Sequence, residues 1–395
     1  MKALLFERSL PRFAAARVAG AIAAGRGASV GPLRLADIDE PALPGPEWQR
    51  VRPRLAGICG SDLATVDGKS SRYFEPLVSF PFVPGHEIVG ELDDGTRVVV
   101  AATLPCAARG IDPPCHMCAA ARPHLCERQA FGHVEPGLQT GYCAETGGGW
   151  STSLVAHSSQ LHVVPDDMSD EMAVMIEPTA CAIHAALSIA DEEVAVIGSG
   201  TLGLCTVAAL RGLAQPRLVV STAKHPAQRQ LAKALGADVV AEPDELDRAI
   251  RSSVGSLRFG DQLSCGIDAV IDCVGSADSL AQALRVVSPG GTVVLAGMPG
   301  RVSVDLTSLW HREVRLVGCY AYGVETVWSD PDTPAERSTF ELATELVADA
   351  RLDRLVSARY TLDRFRDAID HAANAGRRGA VKVVFDLRNE KERYR

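Results

Sequence analysis

Four cysteines, Cys106, Cys115, Cys118 and Cys126, fall within 21 residues. Their spacing is Cys115-x2-Cys118-x7-Cys126, with Cys106 nine residues upstream of Cys115. One loop thus supplies four thiolates, a set that suits a closed, tetrahedral structural zinc. Asp112 and His116 stand in the same loop as alternatives for the fourth ligand, and Pro105, Pro113, Pro114 and Pro123 stiffen it. A second set is scattered: Cys59 in Gly57-Ile58-Cys59-Gly60-Ser61-Asp62, His86 in Gly85-His86-Glu87, and Glu177 before Pro178. A reactive zinc needs about three protein ligands and one open position. Cys59 and His86 are natural donors, and Glu177, or less readily Glu87, completes the set. Asp62 would hold the imidazole through its other nitrogen. Singly, these residues read as an ordinary buried thiol and an unremarkable histidine. Their joint occurrence gives them weight.

Gly198-Ser199-Gly200-Thr201-Leu202-Gly203 follows the apolar run Val194-Ala195-Val196-Ile197 and opens a helical pattern. In that context Gly198 makes a tight turn, Gly200 lets backbone approach a pyrophosphate, and Gly203 lets helix and strand pack closely. The helix start at Thr201-Leu202 offers free N–H groups and a positive dipole end to phosphates. NAD sites place an acid about 20 residues past the glycines, on the ribose 2′-hydroxyl. Here the segment reads Ser221-Thr222-Ala223-Lys224-His225, with no acid. Hydroxyls and cations suit a 2′-phosphate, so NADP is expected in preference to NAD.

The elements that must position these residues change character near Pro165. Before it, short β-type runs such as 52–55, 87–92 and 97–101 are broken by Gly and Pro, which predicts a small, mostly β domain with long functional loops. After it, a helical pattern over 170–190 is interrupted by Pro178. Strands at 194–197, 217–220, 269–272 and 292–295 then alternate with helices at 202–213, 227–235 and 279–287. Such alternation predicts a doubly wound parallel sheet of Rossmann type, so the fold class is α/β. Further on, the pattern predicts a helix at 335–349, a strand at 359–362, a helix at 365–375 and a strand at 381–385. Trp150 and the segment from Tyr320 to Trp328 are candidate pocket linings.

The 395 residues suffice for two domains, and 47% hydrophobic with 23% charged residues is ordinary for a globular chain. A net charge of −9, with only short basic spots at Arg377-Arg378 and Lys391 to Arg395, gives no basic stripe for nucleic acid. No run reaches the ~18 apolar residues of a membrane span, and the start lacks the basic and apolar regions of a signal peptide. Eleven cysteines in such a chain read as ligands or buried apolar groups in a reducing compartment, so a cytoplasmic protein is expected.

These residues, in this order, resemble the zinc-containing medium-chain alcohol dehydrogenase family over nearly the full length. The resemblance rests on Cys59-Gly60-Ser61-Asp62, Gly85-His86-Glu87, the cysteine lobe, Glu177-Pro178, the glycine motif, Leu235-Gly236-Ala237-Asp238 and Pro289-Gly290-Gly291. It implies a GroES-like β-barrel catalytic domain over 1–165, completed by 325–395, and a Rossmann dinucleotide-binding domain over 166–324. Glu177-Pro178 looks like the sorbitol, glucose and threonine dehydrogenase branch, which acts on polyols, sugars and amino alcohols. Three departures stand out. Ala64 occupies a position where many relatives carry a proton-relay histidine; Asp112 stands where the first lobe cysteine usually falls; and the cofactor acid is absent.

The expected reaction is hydride transfer between an alcohol and NAD(P), with catalytic and structural zinc, and with Ser61 passing the proton outward. A zinc-independent quinone or enone reductase of the same fold is the rival enzyme, and a non-catalytic NADP-binding protein is the rival outside enzymes. The expected partner is a small alcohol or carbonyl substrate, without nucleic acid or membrane. Relatives form dimers and tetramers, so a homo-oligomer is expected.

Overall fold

A computed structural model describes residues 1–260, 262–330 and 333–389. The chain divides into two compact units, one of residues 1–177 with the chain from 351 onward, the other of residues 178–350. The first unit opens with β1 (Lys2–Phe6), whose Ala3, Leu4, Leu5 and Phe6 are all buried. Two helices follow, α1 (Leu10–Ile22) and α2 (Gly27–Val30), before β2 (Leu33–Asp37) returns antiparallel to β1. These helices depart from the all-β pattern expected here. Alanine-rich sequence has the highest helix propensity, and Pro11 sits in the first turn of α1, where its missing N–H costs nothing. Asp67, 3% exposed, anchors the insertion: its two oxygens accept from the backbone N–H groups of Gly25 and Gly27, each at 3.0 Å.

Next come β3 (Trp48–Gly57), α3 (Gly60–Val66), β4 (Ile88–Leu92) and β5 (Arg97–Val100). The short α4 (His116–Ala119) lies in the cysteine lobe, followed by β6 (Leu154–His157) and β7 (Leu161–Val163). Along β3, buried Val51, Pro53 and Leu55 alternate with exposed Arg52 and half-buried Arg54, the period-two pattern of a half-covered strand. α5 (Asp170–Ala173) and α6 (Ile176–Leu187) end the first stretch. The interruption expected at Pro178 lies instead at Val174-Met175, because Pro178 occupies the first turn of α6, where no intrahelical donor is needed.

The second unit runs β8 (Glu193–Ile197), α7 (Thr201–Ala209), β9 (Leu218–Thr222), α8 (Pro226–Ala234), β10 (Val239–Ala241) and α9 (Leu246–Val254). A hairpin of β11 (Arg258–Phe259) and β12 (Gln262–Leu263) leads to β13 (Ile267–Asp272), α10 (Ala277–Val286), β14 (Val287–Leu295), α11 (Thr307–His311) and β15 (Arg315–Gly318). The six-stranded sheet has the order β10-β9-β8-β13-β14-β15, and every pairing is parallel. Counted along the unit this is 3-2-1-4-5-6, the doubly wound order with its reversal beside β8. Its core holds Val220, Ile250, Ile267, Val270 and Val293. A second hairpin, β16 (Val324–Asp330) with β17 (Thr333–Ser338), precedes α12 (Thr339–Asp349). The helix expected from Ala335 therefore starts later, at the Ser338 cap, because cross-strand pairing claims the preceding residues.

The chain then returns to the first unit as β18 (Val356–Tyr360), α13 (Phe365–Ala373) and β19 (Lys382–Asp386). β19 pairs with β3, giving a seven-stranded sheet along the open path β18-β19-β3-β4-β5-β7, with β6 also on β3. Trp150 does not line a pocket: it is fully buried with Leu4, Phe82 and Phe385, and its indole N–H donates to Gly57 O at 3.1 Å. Among the described residues no helix is long and apolar enough to cross a membrane. The basic tail 391–395 lies outside the described residues. Replacing Asp67 by Ala should lower stability by about 2 kcal/mol, because two buried N–H groups lose their acceptors. Urea unfolding measures this, and wild-type stability would show that the insertion is not anchored there.

Candidate active site

Cys59 caps the start of α3, and Asp62, one turn on, accepts from the Cys59 backbone N–H at 2.9 Å. The Asp62 side chain has no exposure, and its other oxygen lies 3.4 Å from His86 Nδ1. That separation makes an ion pair without hydrogen-bond alignment; both atoms are buried and make no hydrogen bond. The opposite ring nitrogen, His86 Nε2, lies 3.5 Å from Ser61 Oγ. Burial works against a charge on this imidazole, but Asp62 and then Cys59 more than offset it and raise its proton affinity well above the ordinary value. His86 reaches this place because Gly85 has φ +97 and passes over Trp150, whose Cδ1 would lie 2.4 Å from any Cβ.

Glu87 sits directly after His86, 1% exposed, with both oxygens on the Lys382 ammonium at 2.6 and 2.5 Å. Lys382 opens β19 and is equally buried. Ile58 N–H donates to Val383 O at 3.0 Å, which brings the lysine beside the Cys59 segment. Burial opposes its charge, while Glu87 first, then Cys59 and Glu177, raise its pKa. Lysine 382 was not singled out from the sequence, and only the isolated pattern of a lysine opening an apolar strand could have flagged it. Glu177 itself is 6% exposed at the start of α6. Just upstream, Asp170 accepts from Arg54 at 3.0 Å and from Arg97 and Arg388 at 3.3 Å, which fixes α5.

The four lobe cysteines come together with their sulfurs mutually within 4.8 Å, the only such ligand group among the described residues. Cys106 is thus part of the set. Backbone N–H groups point at the sulfurs: Cys115 N at Cys106 Sγ (3.3 Å), Arg128 N at Cys126 Sγ (3.4 Å) and Glu127 N at Cys115 Sγ (3.5 Å). Against the effect of burial, the backbone N–H of Cys118 and then that of Glu127 bring Cys115 down to about 6, while burial pushes Cys126 up to about 11. Arg109, wholly buried, donates to the carbonyls of Leu104, Phe131, Val134, Glu135 and Gly137 and ties the loop to its surroundings. Cys59, His86 and Glu177 are not gathered to that spacing.

In the second unit, Gly198 leaves β8 at φ +92, Gly200 caps α7, and Thr201 and Leu202 form its first turn. A Cβ on Gly203 would lie 1.7 Å from Gly198 O, so only glycine closes this corner. Thr222 Oγ1 accepts from Gly198 N–H at 3.1 Å, and Ser199 Oγ donates to Thr222 O at 2.8 Å. Thr222 and Ala223 are buried, Lys224 is exposed and His225 half-buried. The Thr222 hydroxyl therefore orients the glycine loop. Arg229, unnoticed in the sequence, folds back from α8 onto the carbonyls of Ala223 (3.1 Å) and Lys224 (3.3 Å) and also pairs with Glu242 at 3.1 Å. His184, also overlooked, pairs with Glu325 and hydrogen-bonds Cys319; burial opposes its charge, but Cys319 and Glu325 raise its pKa to about 10.

One unit thus carries a thiol, an imidazole and buried carboxylates, and the other a glycine-cornered parallel sheet of the dinucleotide-binding kind. Two family models match: an alcohol dehydrogenase GroES-like domain over residues 45–166 and a zinc-binding dehydrogenase over residues 201–334. An L-idonate 5-dehydrogenase of Vitis vinifera is 28% identical over 361 residues, covering 87% of this chain and 89% of the relative. An L-threonine 3-dehydrogenase of Anaeromyxobacter dehalogenans is 26% identical over 350 residues, covering 85% and 90%. A protein of Sinorhizobium meliloti 1021 solved with NADP bound superposes with a TM-score of 0.67 at 26% identity, covering 90% of this chain and 95% of that one. The chain belongs to the zinc-containing medium-chain alcohol dehydrogenase family. It is an NAD(P)-linked alcohol dehydrogenase.

Two outcomes follow from the buried charges. Lys382→Met strands Glu87 and should destabilise the protein by about 3–5 kcal/mol in denaturant unfolding, with Glu87→Gln restoring most of the loss in the double variant. A single-variant loss below ~1 kcal/mol would show the pair to be solvated. For His184, a folded pKa of about 10 against an ordinary 6.5 means stabilisation that is complete below pH 6.5 and fades as the pH rises toward 10. The stability difference between wild type and His184→Gln should therefore shrink between pH 6.5 and 10; a constant difference would contradict the charged pair.

Proposed function

We propose that the protein reversibly oxidises a polyol, sugar or amino alcohol to the carbonyl, with a catalytic zinc held by Cys59, His86 and Glu177 and with NADP preferred over NAD. The observation that carries this reading is the placement of His86, with Nδ1 toward Asp62 and Nε2 toward Ser61. That orientation frees the second nitrogen for a metal, and it fits a thiolate neighbour at Cys59. Glu87 is engaged by Lys382, which favours Glu177 as the third donor. The lobe thiols of Cys106, Cys115, Cys118 and Cys126 hold the structural zinc. Neither the zinc-independent reductase nor the non-catalytic reading accounts for this buried donor set.

When bound, the zinc supplies Lewis acidity at the substrate oxygen, and the dinucleotide takes the hydride. The chain's own residues do the rest. Asp62 fixes the tautomer of His86, Lys382 offsets the charge of the buried carboxylates, and Ser61 Oγ receives the alcohol's proton. The start of α7, at Gly200, Thr201 and Leu202, presents N–H groups to the pyrophosphate. Lys224, His225 and Arg229 beside Ala223, with no acid among residues 221–225, support NADP. The substrate class follows the branch marked by Glu177-Pro178 and the idonate and threonine relatives.

Three further assignments belong to this reading. The mixed sheet of the unit formed by residues 1–177 and the chain from 351 onward is the family's GroES-like barrel domain, and the unit of 178–350 is the Rossmann domain, so residues 325–350, expected in the former, belong to the latter. β15 is an exposed parallel edge, with Leu316 and Val317 about two-fifths exposed and Trp310 78% exposed nearby, which supports a homo-oligomer built through that edge. None of the eleven cysteines is joined in a disulfide, which suits the cytoplasm.

The test is a rate screen of zinc-replete protein on sorbitol, sugars, threonine and simple alcohols, with NADP and with NAD, alongside Cys59→Ala. Turnover on one class with NADP preferred, abolished in Cys59→Ala with dinucleotide binding intact, is the expected result. Activity retained in Cys59→Ala would remove the catalytic zinc assignment, and a preference for NAD would overturn the cofactor choice alone.

A further inference from the structure

Ala64 offers no atom that could accept a proton, yet one residue on, the same helix carries a hydroxyl with three partners. Thr65 Oγ1 donates to Ser61 O at 3.0 Å and stands 2.9 Å from both Ser70 Oγ and Tyr142 Oη. A threonine hydroxyl has one proton to give and two lone pairs to receive, so these three contacts saturate it. Either member of the Thr65–Ser70 and Thr65–Tyr142 pairs can be the donor, so the protons can be reordered without moving a heavy atom. The set spans the depth needed. Tyr142 is 9% exposed, and its ring centroid lies 6.4 Å from that of His86. Ser70 is half-buried beside exposed Lys69. Phe82, 5.2 Å from Tyr142 between ring centroids, packs against the ring and leaves the hydroxyl as its only polar outlet. Burial foremost, then the Asp62 charge, keeps the phenol protonated, so it acts as a hydroxyl and not as a phenolate.

We propose that Tyr142, Thr65 and Ser70 form the proton exit of this enzyme, replacing the histidine that Ala64 lacks. The proposal rests on the reading of Cys59, His86 and Glu177 as the seat of reaction. The alcohol's O–H bond breaks as Ser61 Oγ takes the proton, and Ser61 passes its own through one intervening water to Tyr142 Oη. Tyr142 gives its proton to Thr65 Oγ1, Thr65 turns its hydrogen from Ser61 O to Ser70 Oγ, and Ser70 releases one proton to water. Every hydroxyl ends with the proton count it began with. The electron pair of the broken C–H bond leaves with the hydride to the nicotinamide, so the overall change is alcohol to carbonyl, oxidised to reduced dinucleotide, and one proton to solvent. Tyr142 touches the reaction through Ser61 and is a positioning and relay residue, as are Thr65 and Ser70.

The test compares Tyr142→Phe and Thr65→Val with wild type on the alcohol turned over fastest in the screen above. Both substitutions keep the volume and remove one link. The expected result is a fall in kcat of about a hundredfold, the lower range of what acid–base catalysis contributes. Zinc content and dinucleotide binding should be unchanged, and the solvent deuterium isotope effect should rise as proton transfer limits the rate. Imidazole buffer should restore Tyr142→Phe, and Ala64→His should restore Thr65→Val; a merely structural role moves neither. Wild-type kcat and isotope effect in both variants would overturn the relay. Should either variant lose zinc or unfold, Ser70→Ala, which removes only the outermost link, decides by the same readouts. Failure of the underlying site reading looks different: Cys59→Ala would then keep its turnover, whereas failure of the relay alone leaves Cys59→Ala inactive.

Discussion

Two charges with almost no access to solvent meet across 295 residues of chain, Glu87 after the histidine and Lys382 at the start of the last strand. Neither would be tolerated in that place alone, since an isolated buried charge is far more costly than any packing it could offer. The pair therefore ties two conditions together. The returning C-terminal segment must dock on β3, and the loop bearing His86 must be in place when it does. The Lys382 charge also reaches Cys59 and Glu177. The same ammonium that satisfies Glu87 thus makes it less unfavourable to gather a thiolate and a second carboxylate nearby. The geometry of the donors depends on an interaction that contains none of them.

Much of this architecture is legible in the sequence because each signal has a local physical cause. The glycine corner at 198–203 must follow a strand and start a helix, and strand–helix alternation calls for the doubly wound parallel sheet that is found. The lobe is legible because four thiols in one loop have few other uses. What could not be read is non-local. Lys382 looks like one more lysine until β19 pairs with β3, and Arg229 looks like a helix surface residue until it folds onto the Ala223 carbonyl. The α1–α2 insertion escaped for a different reason: its alanines and arginines carry helix propensity without an apolar period. Only the Asp67 anchor gives it a place.

The two ligand sets illustrate how differently a fold can prepare for a metal. In the lobe the chain does the work at short range, with four sulfurs within 4.8 Å and backbone N–H groups turned toward them. Arg109 spends its donors on five carbonyls, which holds the loop's path from outside. Such a set is complete in itself and has no room for a fifth partner.

The Cys59 set is the reverse case. The donors proposed for it come from the start of α3, the approach to β4 and the start of α6. Order must then be imposed by neighbours that are not donors: Asp62 on the ring of His86, Gly85 over Trp150 on its path, and Lys382 on the net charge. An open site needs such support because the position left for substrate cannot contribute to holding the others. The hydroxyls of Ser61, Thr65, Ser70 and Tyr142 extend the same logic from charge to protons. They bring polar groups to a buried place without adding charge: Thr65 meets Ser70 and Tyr142, and Ser61 meets the ring of His86.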